Sequence, residues 1–227
     1  NSFKYKVIRS FLWILYKLAF GHKNQKIIFQ NTSDIVTLSN LVSFSNKKSI
    51  LIRGSGVDLE KYKVQKEQNN VPVVSLVARL LKDKGVIEFV EASKILKKRN
   101  IQARMCLVGD IDTNNKTSIS KFEIDSWTDL GLIEWWGYQE DIATVYAQSN
   151  IACLPSYREG LPKSLIEAAA CGRSVITTDV PGCRDAIEPG VSGILVPVKD
   201  ETSLADAIEE LIKNPHKRNL MGKAGRN

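Results

Sequence analysis

The chain has 227 residues, 43% of them hydrophobic and 25% charged, the balance of a soluble globular protein with room for one large domain or one domain and part of another. Net charge is +7, but Lys and Arg are spread along the chain with no arginine-rich block and no aromatic–basic interleaving. That pattern argues against nucleic acid and leaves a solvated basic face, an anionic membrane surface or polyanionic small ligands.

Cys106, Cys153, Cys171 and Cys183 form no Cys-x-x-Cys pair, and the two histidines, His22 and His216, lie far apart. A zinc site has little to work with, and the thiols read as small buried hydrophobes of a reducing cytosol. The chain begins at Asn1 without a methionine and stops at Gly225-Arg226-Asn227, just past a helical-looking segment. Both ends read as cut, so a fragment of a longer protein is expected.

Residues 2–20, SFKYKVIRSFLWILYKLAF, imitate a signal peptide. Arg9 and Lys17 interrupt the apolar run and no small-residue cleavage site follows, whereas a membrane span needs about 20 apolar residues. Phe3, Val7, Phe11, Leu15 and Leu18 recur at helical spacing, which predicts an amphipathic helix. Its apolar side would dock within the full-length protein, the favoured reading, or lie on a membrane surface.

A short strand is expected at KIIFQ (26–30), then a helix capped by Ser33 or Asp34, then a second strand at KSILIR (48–53). Residues 54–70, with GSGVD and the polar QKEQNN, read as a hinge or linker. Residues 1–53 and 71–227 therefore belong to different domains.

From Val71 the rhythm changes. Nearly continuous apolar strands (71–79, 103–110, 132–137, 151–155, 174–178 and 193–197) are separated by helices at 84–99, 117–130, 140–149, 163–171 and, at the end, 201–213. Uninterrupted apolar strands alternating with amphipathic helices imply an α/β fold: a Rossmann-like parallel sheet with helices on both faces. Right-handed crossovers bring the loops after the strand carboxyl ends to one crevice, where ligands bind.

Two loops carry the charge such a crevice would use. In VARLLKDKGV (77–86), Arg79 sits at a strand end and Lys84 opens the next helix, a guanidinium and an ammonium suited to a diphosphate. An ordinary strand-end arginine and a solvated helix lysine explain them equally well. In SYREGLPKSLIEAAACGRSVITT (156–178), Gly160-Leu161-Pro162 leads into a helix starting near Lys163, with Pro162 at the first helical position. The helix amino end offers N–H groups and a dipole to an anion. Glu167, about a turn in, is placed to accept from paired sugar hydroxyls, or is a dipole-favoured glutamate. Glu159, a carboxylate beside an anion site, asks for a functional reason.

These segments, with LVGD, WWGYQEDIATVYAQSNIACLP, DVPGCRDAIEPGVSGILVP and the SGVD at 55–58, resemble the C-terminal, donor-binding half of a retaining glycosyltransferase of family four, with the GT-B fold. They cover nearly all of residues 50–213 in family order, and the pair Glu159 and Glu167, eight apart in REGLPKSLIEA, is the most specific of them. The resemblance implies a nucleoside-diphosphate-sugar donor, UDP-linked, no cofactor and no required metal. Arg79 and Lys84 would neutralise the diphosphate, backbone groups of Gly160, Leu161 and Ser164 would hold it, Glu167 would bind ribose, and Tyr138 would line the nucleobase pocket. Glu159 would be the catalytic contact to the transferred sugar. Residues 1–53 would be the end of the N-terminal acceptor domain, and 71–227 the donor-binding domain.

Two departures from the family pattern, alanine before Arg79 and Arg53 before the hinge, remove no needed charge. Asp110-Ile111-Asp112 matches the D-x-D of metal-dependent transferases of another fold, but Arg79, Lys84 and the helix amino end already supply positive charge. An epimerase of the same fold and a donor-binding module, inactive as a fragment, are the alternatives. The resemblance further implies a cytoplasmic enzyme, at the inner face of the plasma membrane, extending a glycan or polyprenyl-linked acceptor in capsule or lipopolysaccharide synthesis.

Overall fold

The structure, a computed structural model, describes residues 2–42, 44, 46–68 and 70–227, without the side chains of Ser2, Phe3 and Asn46. Asn1 at the expected cut end, the Phe3 side chain of the expected apolar stripe, Ser43 and Asn69 of the expected linker thus lie outside the described residues. The chain divides into two compact units, Asn1–Ser55 and Gly56–Asn227.

The first unit opens with helix α1 (Ser2–Gly21), followed by β1 (Ile27–Phe29), α2 (Thr32–Leu41) and β2 (Ser49–Leu51). β1 and β2 pair in parallel, with Ile28 opposite Ile50. The cap of α2 is Asn31, not Ser33 or Asp34. Its extended backbone (φ −144°) lets the side-chain oxygen accept from the Asp34 N–H at 2.8 Å, and its amide donates to the Asp34 carboxylate at 2.9 Å. Ser33 and Asp34 instead occupy the first turn.

The second unit is a six-stranded, wholly parallel sheet built from β3 (Val73–Val77), β4 (Arg104–Val108), β5 (Glu134–Gly137), β6 (Ile151–Leu154), β7 (Ser174–Thr178) and β8 (Gly193–Val196). Their spatial order is β5-β4-β3-β6-β7-β8, so the order reverses between β3 and β6. In open α/β sheets that reversal opens a crevice at the strand carboxyl ends.

The apolar runs are buried because both faces of the sheet are covered: Val74, Leu76, Leu107 and Ile151 are almost fully enclosed. Phe89 and Leu96 of α3 (Val86–Lys98) and Leu204, Ile208 and Leu211 of α8 (Glu201–Lys213) pack in the same core. A second cluster gathers Tyr62, Tyr146 of α5 (Ile142–Gln148), Leu165 and Ala168 of α6 (Lys163–Ala170), and Val175. The short α7 (Pro181–Arg184) follows β7, and α9 (Pro215–Arg226) continues past the break at Asn214.

Two helices start later than periodicity suggests because a side chain caps them further along the chain. The helix expected at 117–130 is α4 (Lys121–Asp129), opened by a reciprocal Ser120–Glu123 capping box, and Asp141 caps α5. Lys84 does not open a helix. It closes a 3-10 turn (Lys82–Lys84), and Gly85, at φ 76°, separates that turn from α3. Pro162 is the residue before the helix, at φ −72° and ψ 112°, rather than its first residue.

Candidate active site

The loops after β3 and β6 face each other across the point where strand order reverses. Gly85 makes this approach possible: a Cβ there would lie 2.1 Å from the Pro155 carbonyl oxygen, and its positive φ already disfavours other residues. The approach is stitched by Tyr157 N–H donating to the Asp83 carbonyl at 2.9 Å and the Ser156 hydroxyl to the same carbonyl at 3.1 Å.

Here Lys84 and Glu159 meet. The ammonium lies 2.5 Å from Oε1, with the side chains only 20% and 12% exposed. Arg79 turns instead to the loop after β4, where its guanidinium donates to Asp112 at 3.0 Å and stays 64% exposed. The Asp-Ile-Asp sequence is accordingly spent within the protein: Asp112 holds Arg79, and the Asp110 carboxylate accepts from the Ile111 N–H at 2.8 Å. Among the described residues no three His, Cys, Asp or Glu side chains gather where they could hold a metal.

α6 carries the other half. Ser164 lies in its first turn, its carbonyl accepting from the Tyr146 hydroxyl at 2.7 Å. Glu167 is buried one turn on, where Oε1 accepts from the Tyr62 hydroxyl at 2.6 Å and lies 3.4 Å from the Lys163 ammonium. Burial, and then the bond to Glu167, push the Tyr62 phenol well up from its ordinary value. Tyr62 falls in the stretch read as linker; its 6% exposure places it in the core of the second unit.

The Gly160–Leu161 turn is supported from below by α7. A Cβ on Gly182 would lie 2.1 Å from the Gly160 carbonyl oxygen and 2.6 Å from that of Glu159, so only glycine lets α7 lie against this loop. Tyr138 is separate from these groups. It follows the edge strand β5, is 72% exposed, and stands at the same end of the sheet. Tyr62 and Gly182 are among the contributors that sequence reasoning passed over. The first has no periodic signal, and the second is marked only by Pro181-Gly182 after a strand.

Comparison with known proteins settles the family. Residues 58–227 match the family described as glycosyl transferases group 1. The chain belongs to the glycosyl transferases group 1 family. Its second unit is the C-terminal domain of the GT-B fold, with which the six-stranded parallel sheet and flanking helices agree.

Among relatives of this chain is the N,N'-diacetylbacillosaminyl-diphospho-undecaprenol alpha-1,3-N-acetylgalactosaminyltransferase of Campylobacter jejuni, 31% identical, with 94% of this chain and 58% of the relative aligned. The capsular polysaccharide biosynthesis glycosyltransferase CapM of Staphylococcus aureus is 30% identical, over 100% of this chain and 61% of that one. The chain thus spans about three-fifths of the length of these curated relatives. In three dimensions it superposes on Anabaena HepE, solved in complex with UDP and glucose, at a TM-score of 0.79 and 20% identity, covering 96% of this chain and 61% of that one.

Proposed function

We propose that this chain is the donor-binding part of a retaining glycosyltransferase that moves a sugar from a nucleoside-diphosphate sugar, UDP-linked, to a glycan or polyprenyl-linked acceptor. The observation that carries this reading is the Lys84–Glu159 pair, 2.5 Å apart at the β3–β6 reversal, beside a helix amino end and a buried Glu167. A buried core has no need of such a set, whereas a phosphosugar uses each member of it.

In this arrangement the diphosphate sits at the amino end of α6, against backbone groups of Gly160, Leu161 and Ser164. Lys84 and Arg79 neutralise it and the charge that grows on the leaving nucleoside diphosphate. Without donor, Lys84 and Glu159 neutralise each other. A bound phosphate takes over the ammonium and turns Glu159 towards the sugar, where it stabilises an oxocarbenium-like transition state. Glu167 accepts from the ribose hydroxyls and Tyr138 borders the base.

The bond from the anomeric carbon to the donor phosphate breaks as the acceptor oxygen attacks on the same face, and the acceptor proton passes to a phosphate oxygen. The positive charge comes from side chains and backbone, so no metal is required. The diphospho-undecaprenol substrate named for the Campylobacter relative supports a polyprenyl-linked acceptor, and the capsular role named for CapM supports a place in surface-polysaccharide synthesis. Among the described residues no helix is long and apolar enough to cross a membrane.

Isothermal calorimetry of this chain with UDP, GDP and ADP, with magnesium and then with chelator, tests the reading. Binding of UDP in preference, unchanged by chelation, is expected. Binding that vanishes on chelation sinks metal independence, and no binding to any nucleotide sinks the donor-site assignment.

A further inference from the structure

A carboxylate that recognises a pair of ribose hydroxyls must be held in one rotamer, because its two oxygens have to face the two hydroxyls together. Glu167 has a device for this that lies 105 residues away in sequence. Tyr62 donates to Oε1 at 2.6 Å, and both residues are 6% exposed, so solvent competes little for that bond. Lys163 approaches the same oxygen at 3.4 Å, and among the described residues no hydrogen bond reaches Oε2. The carboxylate is thus anchored through one oxygen, with the other left for a ligand.

Tyr62 is itself held on both sides. Its N–H donates to the Asp58 carbonyl at 2.9 Å, and its ring packs in the cluster with Tyr146, Leu165 and Ala168. Arg226 of α9 donates to the Tyr62 carbonyl and to the Ala170 carbonyl, each at 2.7 Å. One guanidinium therefore ties the backbone that carries Tyr62 to the end of the helix that carries Glu167. The distance between hydroxyl and carboxylate is fixed by the scaffold rather than by the two side chains alone.

We infer that Tyr62 is the positioning residue for Glu167, and that its hydroxyl sets the preference of this site for ribose over deoxyribose. This deepens the donor-site reading and rests on it. The hydroxyl fixes Oε1, which directs Oε2 and the remaining Oε1 lone pair outward to the two ribose hydroxyls. Without it the Glu167 carboxylate loses its aim. The ring alone, as in phenylalanine, would fill the same space and hold the same cluster, so the two roles separate by a single oxygen atom.

The test compares UDP with 2′,3′-dideoxy-UDP by calorimetry on this chain, as wild type, Tyr62→Phe, Glu167→Gln and the double variant. Loss of one charge-assisted hydrogen bond predicts that Tyr62→Phe weakens UDP about tenfold. It should leave dideoxy-UDP nearly unchanged, so that the ratio of the two affinities falls towards one. Glu167→Gln should collapse the same ratio, and the double variant should lose little more than Glu167→Gln alone. Equal weakening of both nucleotides by Tyr62→Phe means a packing role and overturns the inference. An unchanged ratio in Tyr62→Phe with a collapsed one in Glu167→Gln also overturns it, while the donor-site reading stands. If wild type binds neither nucleotide, or if Glu167→Gln leaves the ratio intact, the ribose assignment falls and this inference falls with it.

Discussion

The two units of this chain solve opposite problems. The second buries both faces of a six-stranded sheet, while the first has a two-stranded sheet whose described core amounts to Ile27, Phe29 and Val42. A two-stranded sheet is marginal without a further packing partner. In the first unit Tyr5, Phe11, Leu18 and Val36 all stand largely exposed. Charge divides the same way. Nine of the Lys and Arg residues precede Gly56 against one acidic residue, Asp34, so the first unit carries the whole net positive charge and the second is close to neutral. The basic character of the sequence therefore says nothing about the donor crevice. There two cations are matched by Asp112 and Glu159, and specificity must come from placement rather than from field strength.

Paired truncations test this contrast with the largest effect expected. Phe89→Ala, in the middle of the second unit's core at 0% exposure, should cost about 3–5 kcal/mol. Phe11→Ala, at 61% exposure on α1, should stay within about 0.5 kcal/mol. Urea denaturation of the two variants reads both numbers. A loss at Phe11 as large as that at Phe89 would mean that α1 is buried in the protein in solution, and the contrast would break.

The same contrast explains what could be read without coordinates. The parallel sheet was legible because its central strands β3, β6 and β7 are short runs enclosed on both faces, a pattern with few alternatives. The cap of α2 was not legible, since Asn31, Ser33 and Asp34 are all good caps and only the backbone angle at Asn31 chooses among them. The loop residues of the crevice announced themselves by type, but not by partner. Lys84 looks like a helix opener until Gly85 breaks the chain there, and nothing in the string pairs it with Glu159, 75 residues on. Tyr62 was hidden most completely, because its neighbours Lys61 and Lys63 make the segment read as a polar connector.

A smaller effect, confined to the crevice, follows from the Lys84–Glu159 pair. Lys84→Met should weaken nucleotide binding about ten- to a hundredfold, the range for removing a charged hydrogen-bond partner, with calorimetry as the readout. Glu159→Gln should behave differently. It releases Lys84 from its carboxylate, so nucleoside diphosphate should bind as well as to wild type or somewhat better, while turnover of the full-length enzyme falls. Equal losses of binding in both variants would mean that the pair is structural, and the division of labour between ammonium and carboxylate would be withdrawn.

The smallest effect concerns acid. With Asp34 the only carboxylate of the first unit, protonation acts on the second. Glu134 at the sheet edge is the clearest case: Arg104 donates to its two oxygens, each at 2.7 Å, and Trp136 donates to one of them at 3.1 Å. The Arg104 bonds hold the Glu134 carboxyl below its ordinary range, against a desolvation that raises it. A depressed folded-state value means that the folded protein releases this proton more readily than the unfolded chain. Its stabilisation is therefore complete above the unfolded carboxylate value, about 4.3, and disappears as pH falls through the folded one. Both side chains are more than a third exposed, at 45% and 39%, so solvent screening limits the contribution to about 1 kcal/mol or less. Glu134→Gln should lower stability by that amount at pH 7 and by nothing at pH 2, so the two melting curves converge on acidification. Curves that stay parallel from pH 7 to pH 2 would assign the loss to packing rather than to the charge that Arg104 meets, since a glutamine oxygen can still accept from Trp136 at any pH.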